Sequence, residues 1–326
     1  MPRTLLFLCV FVLFASISYF PSCKKSEIPS VDDIIFKPRL SEYNIYKGGA
    51  GSLVFDSSFV QYELSTALFS DYAEKQRLIK IPVGTKINAL DDGLPNFPDG
   101  SIIVKTFYYY NNKKDTARGK RIMETRLLIK HVGKWNAATY IWNQDQTDAK
   151  LISAGRDIPV NWIDEEGNPR VISYHVPSRI ECGMCHQSNK LLTPIGPKII
   201  NLNFNISYNG SWANQLTYLQ NSGVLTPVNP ANFSQLPQWN DTRYSIEQRA
   251  RAYLDLNCAH CHNSAGFASH SSLKLNYDVS LSDSKIGKHK KAIDILMSRG
   301  AMPLIGTTVV DHQGLQLVRE YLKTLD

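Results

Sequence analysis

The chain has 326 residues and a mass of 36.8 kDa, with 43% hydrophobic and 20% charged residues, which excludes a disordered chain and suffices for about two domains of roughly 150 residues. Its formal charge of +7 is scattered rather than gathered into a polybasic run. No nucleic-acid partner is therefore expected, and the surplus favours acidic partners or anionic surfaces through long-range attraction.

In chain order the first element is an export signal. Residues 4–20 carry no charge, follow Arg3, and break at Pro21-Ser22-Cys23-Lys24-Lys25. The competing reading is an N-terminal membrane anchor, although the run falls short of the about 20 residues that a spanning helix needs. Ser22 before the cut and Cys23 as the first mature residue resemble a bacterial lipoprotein signal. That resemblance makes residues 1–22 a signal peptide and puts lipid on Cys23. It implies an exported chain anchored to a bacterial membrane, facing the periplasm or the cell exterior. Residues 23–61 then read as a polar tether and N-terminal lead-in.

Residues 62–190 read as a mostly-β domain. β-Branched and aromatic runs at 78–83, 101–110, 125–132 and 138–142 are separated by Asp91-Asp92-Gly93, Pro98-Asp99-Gly100 and Gly133, a spacing expected of an antiparallel sandwich or barrel. Residues 191–243 are rich in Asn, Pro, Gly and Ser and read as a connecting segment with a short helix near 212–219. Residues 244–326 read as helical. Ser245-Ile-Glu-Gln248 forms a capping-box pattern before the apolar stripe Ile246, Ala250, Tyr253, Leu254, and Asp311 can cap a helix lined by Leu315, Val318, Leu322 and Leu325. The expected fold class is α+β, a mostly-β sandwich-like N-terminal domain followed by a small all-α domain.

Cysteine usage points to the chemistry. Of six cysteines, Cys9 lies in the signal, Cys23 is the lipidation candidate, and the rest form Cys182-Gly-Met-Cys185-His186 and Cys258-Ala-His-Cys261-His262. This is the spacing of c-type haem attachment. On a helical turn, positions i, i+3 and i+4 share a face, so two thiols can join the two vinyl groups of one haem while the next histidine coordinates its iron. Three readings compete. One zinc site from all four thiols would need pairs much closer than these, since zinc ribbons separate theirs by about 15 to 20 residues. Two disulfides suit an oxidising compartment, and thioredoxin-like chemistry would want a βαβ setting, but neither explains two histidines.

The helix running into Cys258, the motif itself, Met302-Pro303 and the closing helix together resemble the small cytochrome c domain, and within that resemblance Met302 is the second protein ligand of haem 2. Its competing reading is a gap-filling core methionine. The strings Tyr62-Glu-Leu-Ser-Thr-Ala-Leu-Phe-Ser-Asp-Tyr-Ala-Glu-Lys75, Phe97-Pro-Asp-Gly100, Val104-Lys-Thr-Phe107, Glu124-Thr-Arg-Leu-Leu128 and Trp142-Asn-Gln-Asp-Gln-Thr-Asp-Ala149 look like an uncharacterised family of bacterial dihaem c-type cytochromes. The resemblance extends from residue 62 to the C-terminus and takes in both haem motifs and Met302-Pro-Leu-Ile-Gly306. The β block with Lys105 is more distantly similar to the cytochrome c′-β group, which implies that haem 1 can lack a sixth protein ligand. His175, His131 and Met123 remain open as that ligand.

The expected cofactors are two covalent haem c groups on Cys182, Cys185 and His186, and on Cys258, Cys261, His262 and Met302. The expected function is single-electron transfer between redox proteins of the cell envelope. The alternative is a haem enzyme or gas-binding protein in which haem 1 has an open coordination site and haem 2 supplies electrons. No P-loop, His-Glu-x-x-His or Gly-x-Ser-x-Gly is present, and no catalytic residue is assigned.

Overall fold

In a computed structural model the structure describes residues 34–48, 50–208 and 210–325. The signal, Cys23 and the start of the tether lie outside the described residues. Strands β1 (Val60–Gln61), β2 (Glu74–Lys80), β3 (Ile102–Tyr110), β4 (Lys120–His131), β5 (Lys134–Trp142) and β6 (Ala149–Ile152) form an antiparallel sheet whose spatial order follows the chain. The hairpin β7 (Arg156–Ile163) and β8 (Pro169–Val176) leads to helix α1 (Arg179–Cys185). Short elements follow: β9 (Gln187–Ser188), β10 (Leu191–Leu192), α2 (Ile199–Leu202), β11 (Asn205–Tyr208), β12 (Ser211–Asn214) and α3 (Gln215–Asn221). The chain ends in α4 (Ile246–Asn257), α5 (Leu281–Ser284), α6 (Ile286–Ser298) and α7 (His312–Lys323).

Both faces of the sheet are covered, which is why its strands lack a clean polar alternation. On one face Leu78, Val104, Leu127 and Tyr140 pack under Leu40, Ile45, Leu53 and Phe59 of the lead-in. The opposite face is covered in two separate places. Ile79, Ile103 and Leu128 meet α2 and α3 through Ile199, Leu202, Leu216 and Leu219. Phe107, Tyr109 and Met123 meet the hairpin through Val160, Trp162, Tyr174 and Val176. Between these two patches the sheet presents a floor to the first Cys-x-x-Cys-His motif.

The expected fold class is corrected by this architecture. The molecule is mostly β, with 27% strand and 25% helix, its strands form one meandering sheet plus two-stranded pairs rather than a sandwich, and no separate all-α C-terminal domain exists among the described residues. Residues 34–326 form a single compact unit. The physical reason lies in residues 62–72, whose backbone is satisfied by side chains from everywhere else. Asn201 Oδ1 accepts from Thr66 N at 2.9 Å, Gln215 Oε1 from Glu63 N at 2.7 Å, and Asn257 Oδ1, at the end of α4, from Phe69 N at 2.7 Å. The buried Asp71 carboxylate accepts from Thr308 N at 2.9 Å and Thr308 Oγ1 at 2.8 Å, fastening the loop before α7 to the β part. Lys198 and Asp255 add an ion pair at 2.9 Å. The helices share one hydrophobic cluster, but these polar ties make them part of the same body.

Candidate functional site

The two motifs fold into alike local structures. Ser178 and Glu181 form a capping box that starts α1. Cys182 and Cys185 lie one helical turn apart on α1, and His186 is its C-cap, its N–H donating to Cys182 O at 2.9 Å. Ser245 and Gln248 form the expected capping box of α4, whose C-cap is Cys258. There the turn is closed by Cys261 N and His262 N, donating to Cys258 O at 3.1 and 2.9 Å. In both cases the two thiols and the imidazole fall on one turn, as haem attachment requires. All four cysteines are free thiols.

His262 borders a cavity of about 440 Å³ together with Cys258, Cys261, Met297 and Met302. That volume lies within the roughly 300–1,000 Å³ of small-molecule sites. The cavity is walled by Leu254, Ile293, Leu296 and Phe267, an apolar lining suited to a macrocycle. His262 Nδ1 is buried without a partner, and burial lowers the imidazole pKa, keeping the ring in the neutral form that can ligate a metal. Met302 is placed by its backbone, Ala301 N and Met302 N donating to Leu296 O at 2.9 and 3.2 Å. The structure thus brings the predicted His262 and Met302 to one cavity, together with Met297 of α6 and Met184 of the first motif.

His186 faces a second cavity. Its Nδ1 lies 2.9 Å from Thr193 O, which makes Nδ1–H the donor and leaves Nε2 with its lone pair, the arrangement of a metal-ligating histidine held by an outer hydrogen bond. Burial pushes its pKa down to about 3. The donor set fits haem, but the free volume is only about 80 Å³, with Lys105 and Arg126 among the lining side chains. Those two belong to a row that crosses the sheet floor: Arg77, Lys105, Arg126 and Thr139 are direct cross-strand partners on β2 to β5. Like charges directly opposite are destabilising. Arg77 is matched by Glu63 at 2.8 Å, and Arg126 by the fully buried Glu124 at 2.6 Å. Lys105 has no carboxylate partner among the described residues and lies over the Phe107 ring at 5.0 Å. Burial, then Arg77, hold its ammonium well below the usual lysine range. Thr139 instead reaches Cys182 Sγ at 3.8 Å.

None of the three expected sixth ligands of haem 1 lines this cavity. His175 is held on both ring nitrogens, by Asp157 at 2.6 Å and Glu181 at 3.1 Å. His131 sits at the end of β4 opposite Lys134. Met123 is buried in the cluster beneath the hairpin.

The structure also brings the two motifs together, which their distance apart in the sequence argues against. Cys185, His260 and Cys261 converge, their ligand atoms all within 4.8 Å of one another. The neighbouring Cys261 thiol, then burial, raises the Cys185 pKa, while Cys185 lowers that of Cys261 against the opposing effect of burial. The two cavities share Cys185, Asn257, His260, Pro303 and Ile305 as wall residues. No sequence pattern signals this, because it arises from the packing of α1 against the turn after α4. Comparison of the chain with protein-family models, curated proteins and solved structures finds no match in any of the three.

Proposed function

We propose that the protein is an exported, lipid-anchored dihaem c-type cytochrome that carries single electrons between redox proteins of the cell envelope. The observation that carries this reading is the pair of Cys-x-x-Cys-His turns, each presenting two free thiols and a neutral histidine to a cavity. Haem bound there would supply one-electron chemistry. The chain's residues attach, orient and shield it. Cys182, Cys185 and His186 would hold haem 1, and Cys258, Cys261, His262 and Met302 would hold haem 2. The thioether of Met302 would raise the potential of haem 2, and the wall of Leu254, Ile293 and Leu296 would shield it from water. Exposed Phe267 and Leu304 lie at the rim of that cavity and supply an apolar contact for a redox partner. No helix among the described residues is long and apolar enough to cross a membrane; attachment through lipid at Cys23, which lies outside them, is part of this proposal. Pyridine haemochrome analysis of the mature protein tests it: two haems per chain support the reading, and none refutes it.

A second reading is favoured by the sheet floor. None of the expected sixth ligands of haem 1 lines the cavity, and Lys105 and Arg126 line it instead. This favours a haem enzyme or gas-binding protein in which haem 1 is open on the sheet side and haem 2 feeds it electrons. Carbon monoxide binding to one haem of the reduced wild-type protein, leaving the other unchanged, would select this reading over the carrier.

A further inference from the structure

We propose that the two haems meet edge to edge at the junction of Cys185 and Cys261, forming one directly coupled pair. This rests on the dihaem reading and deepens it. Attachment adds each thiol S–H across a vinyl double bond: an S–C bond forms, the hydrogen goes to the other vinyl carbon, and no oxidant is consumed. Cys185 anchors a vinyl-bearing edge of haem 1 and Cys261 one of haem 2. Their sulfur atoms lie within 4.8 Å of each other, so the two anchored edges start from nearly the same place. The wall between the two cavities consists of Cys185, Asn257, His260, Pro303 and Ile305, a single layer of side chains. Neither remaining cysteine belongs to this cluster, and Cys182 is buried against Thr139 of the sheet. The same convergence of Cys185, His260 and Cys261 offers three ligands to a divalent cation, but thiols converted to thioethers no longer supply that site.

The experiment uses the full mature chain with its haem content counted. With two haems per chain, the Soret circular dichroism is expected to be a two-signed couplet crossing zero near the absorption maximum. The double variant Cys258→Ala/Cys261→Ala, carrying haem 1 alone, should lose the couplet and keep a single-signed band. Where that variant fails to mature, the wild type gives the same answer on stepwise reduction: the couplet collapses in the half-reduced chain, and the ferric resonance of the remaining oxidised haem sharpens. Two haems per chain with no couplet, and a ferric resonance unchanged at half reduction, would overturn the junction while leaving the dihaem reading standing. A chain with no haem and one bound zinc ion, lost in His260→Phe, would overturn both. His260→Phe with two haems and an undiminished couplet supports the junction.

Discussion

Gly314 on α7 is the place where the packing that positions the second motif is most easily broken. A Cβ there would lie 2.3 Å from Cζ and Oη of Tyr253 and 2.4 Å from its Cε2, far inside van der Waals contact. The ring cannot withdraw cheaply, because Tyr253 Oη donates to Asp311 at 3.0 Å and its face meets Trp239 at 5.8 Å. Overpacking of this kind costs about 1 to 3 kcal/mol, and so confined a contact belongs at the upper end. Alanine recovers at most about 1 kcal/mol of helix propensity, leaving a net loss of about 2 kcal/mol. At roughly 2 to 4 °C per kcal/mol, Gly314→Ala should lower the unfolding midpoint by about 4 to 8 °C. Far-ultraviolet circular dichroism on heating measures it. Gly287 on α6 is the control: a Cβ there meets nothing within 4 Å, so Gly287→Ala should stabilise by about 0.4 to 1 kcal/mol. Equal midpoints for the two variants would refute the argument that α4 and α7 need a glycine to approach.

Asp71→Asn keeps the side-chain shape and a residue type that tolerates the left-handed backbone at this position, but turns one acceptor into a donor facing Thr308. It should cost about 1 to 3 kcal/mol in unfolding free energy and speed proteolysis between α6 and α7; an unchanged cleavage rate would dissociate that loop from Asp71. Burial, then Arg77, depress the Lys75 pKa to about 7, below its unfolded value of about 10.4. Its contribution to stability is therefore present at high pH and lost as pH falls through about 7. Wild-type midpoints measured from pH 7 to 9.5 should rise more steeply than those of Lys75→Met, and parallel curves would contradict this. Met302→Ala should abolish the near-infrared band of a sulfur-bound ferric haem and open haem 2 to carbon monoxide; survival of the band would assign the ligand to Met297.

The strands from Glu74 to Trp142 were legible because β-branched and aromatic runs punctuated by glycine turns report directly on local backbone preference. The caps of α4 and α7 were legible for a similar reason, since Ser245, Gln248 and Asp311 act on donors within one turn of themselves. Helix α6 has no side-chain cap to announce its start, and its only trace in the sequence is Ile286, Ile293 and Met297 at helical spacing. The loss of separate domains was not legible at all. It depends on Asn201, Gln215, Asn257 and Asp71, polar residues whose partners lie far along the chain, and polar residues leave no periodic trace.

The same distinction governs the candidate site. Each Cys-x-x-Cys-His turn is a local object, readable five residues at a time, and both form as expected. Their meeting is not local: α1 follows the hairpin that covers one part of the sheet, and α4 is tied through Asn257 to the segment entering β2. A chain built as two independent domains could have placed the motifs anywhere relative to each other. Because residues 62–72 bind the sheet and the last helices into one body, the spacing of Cys185 and Cys261 is fixed by the fold rather than by a linker. That fixed spacing makes the meeting of the two motifs a property of the folded chain and independent of domain motion.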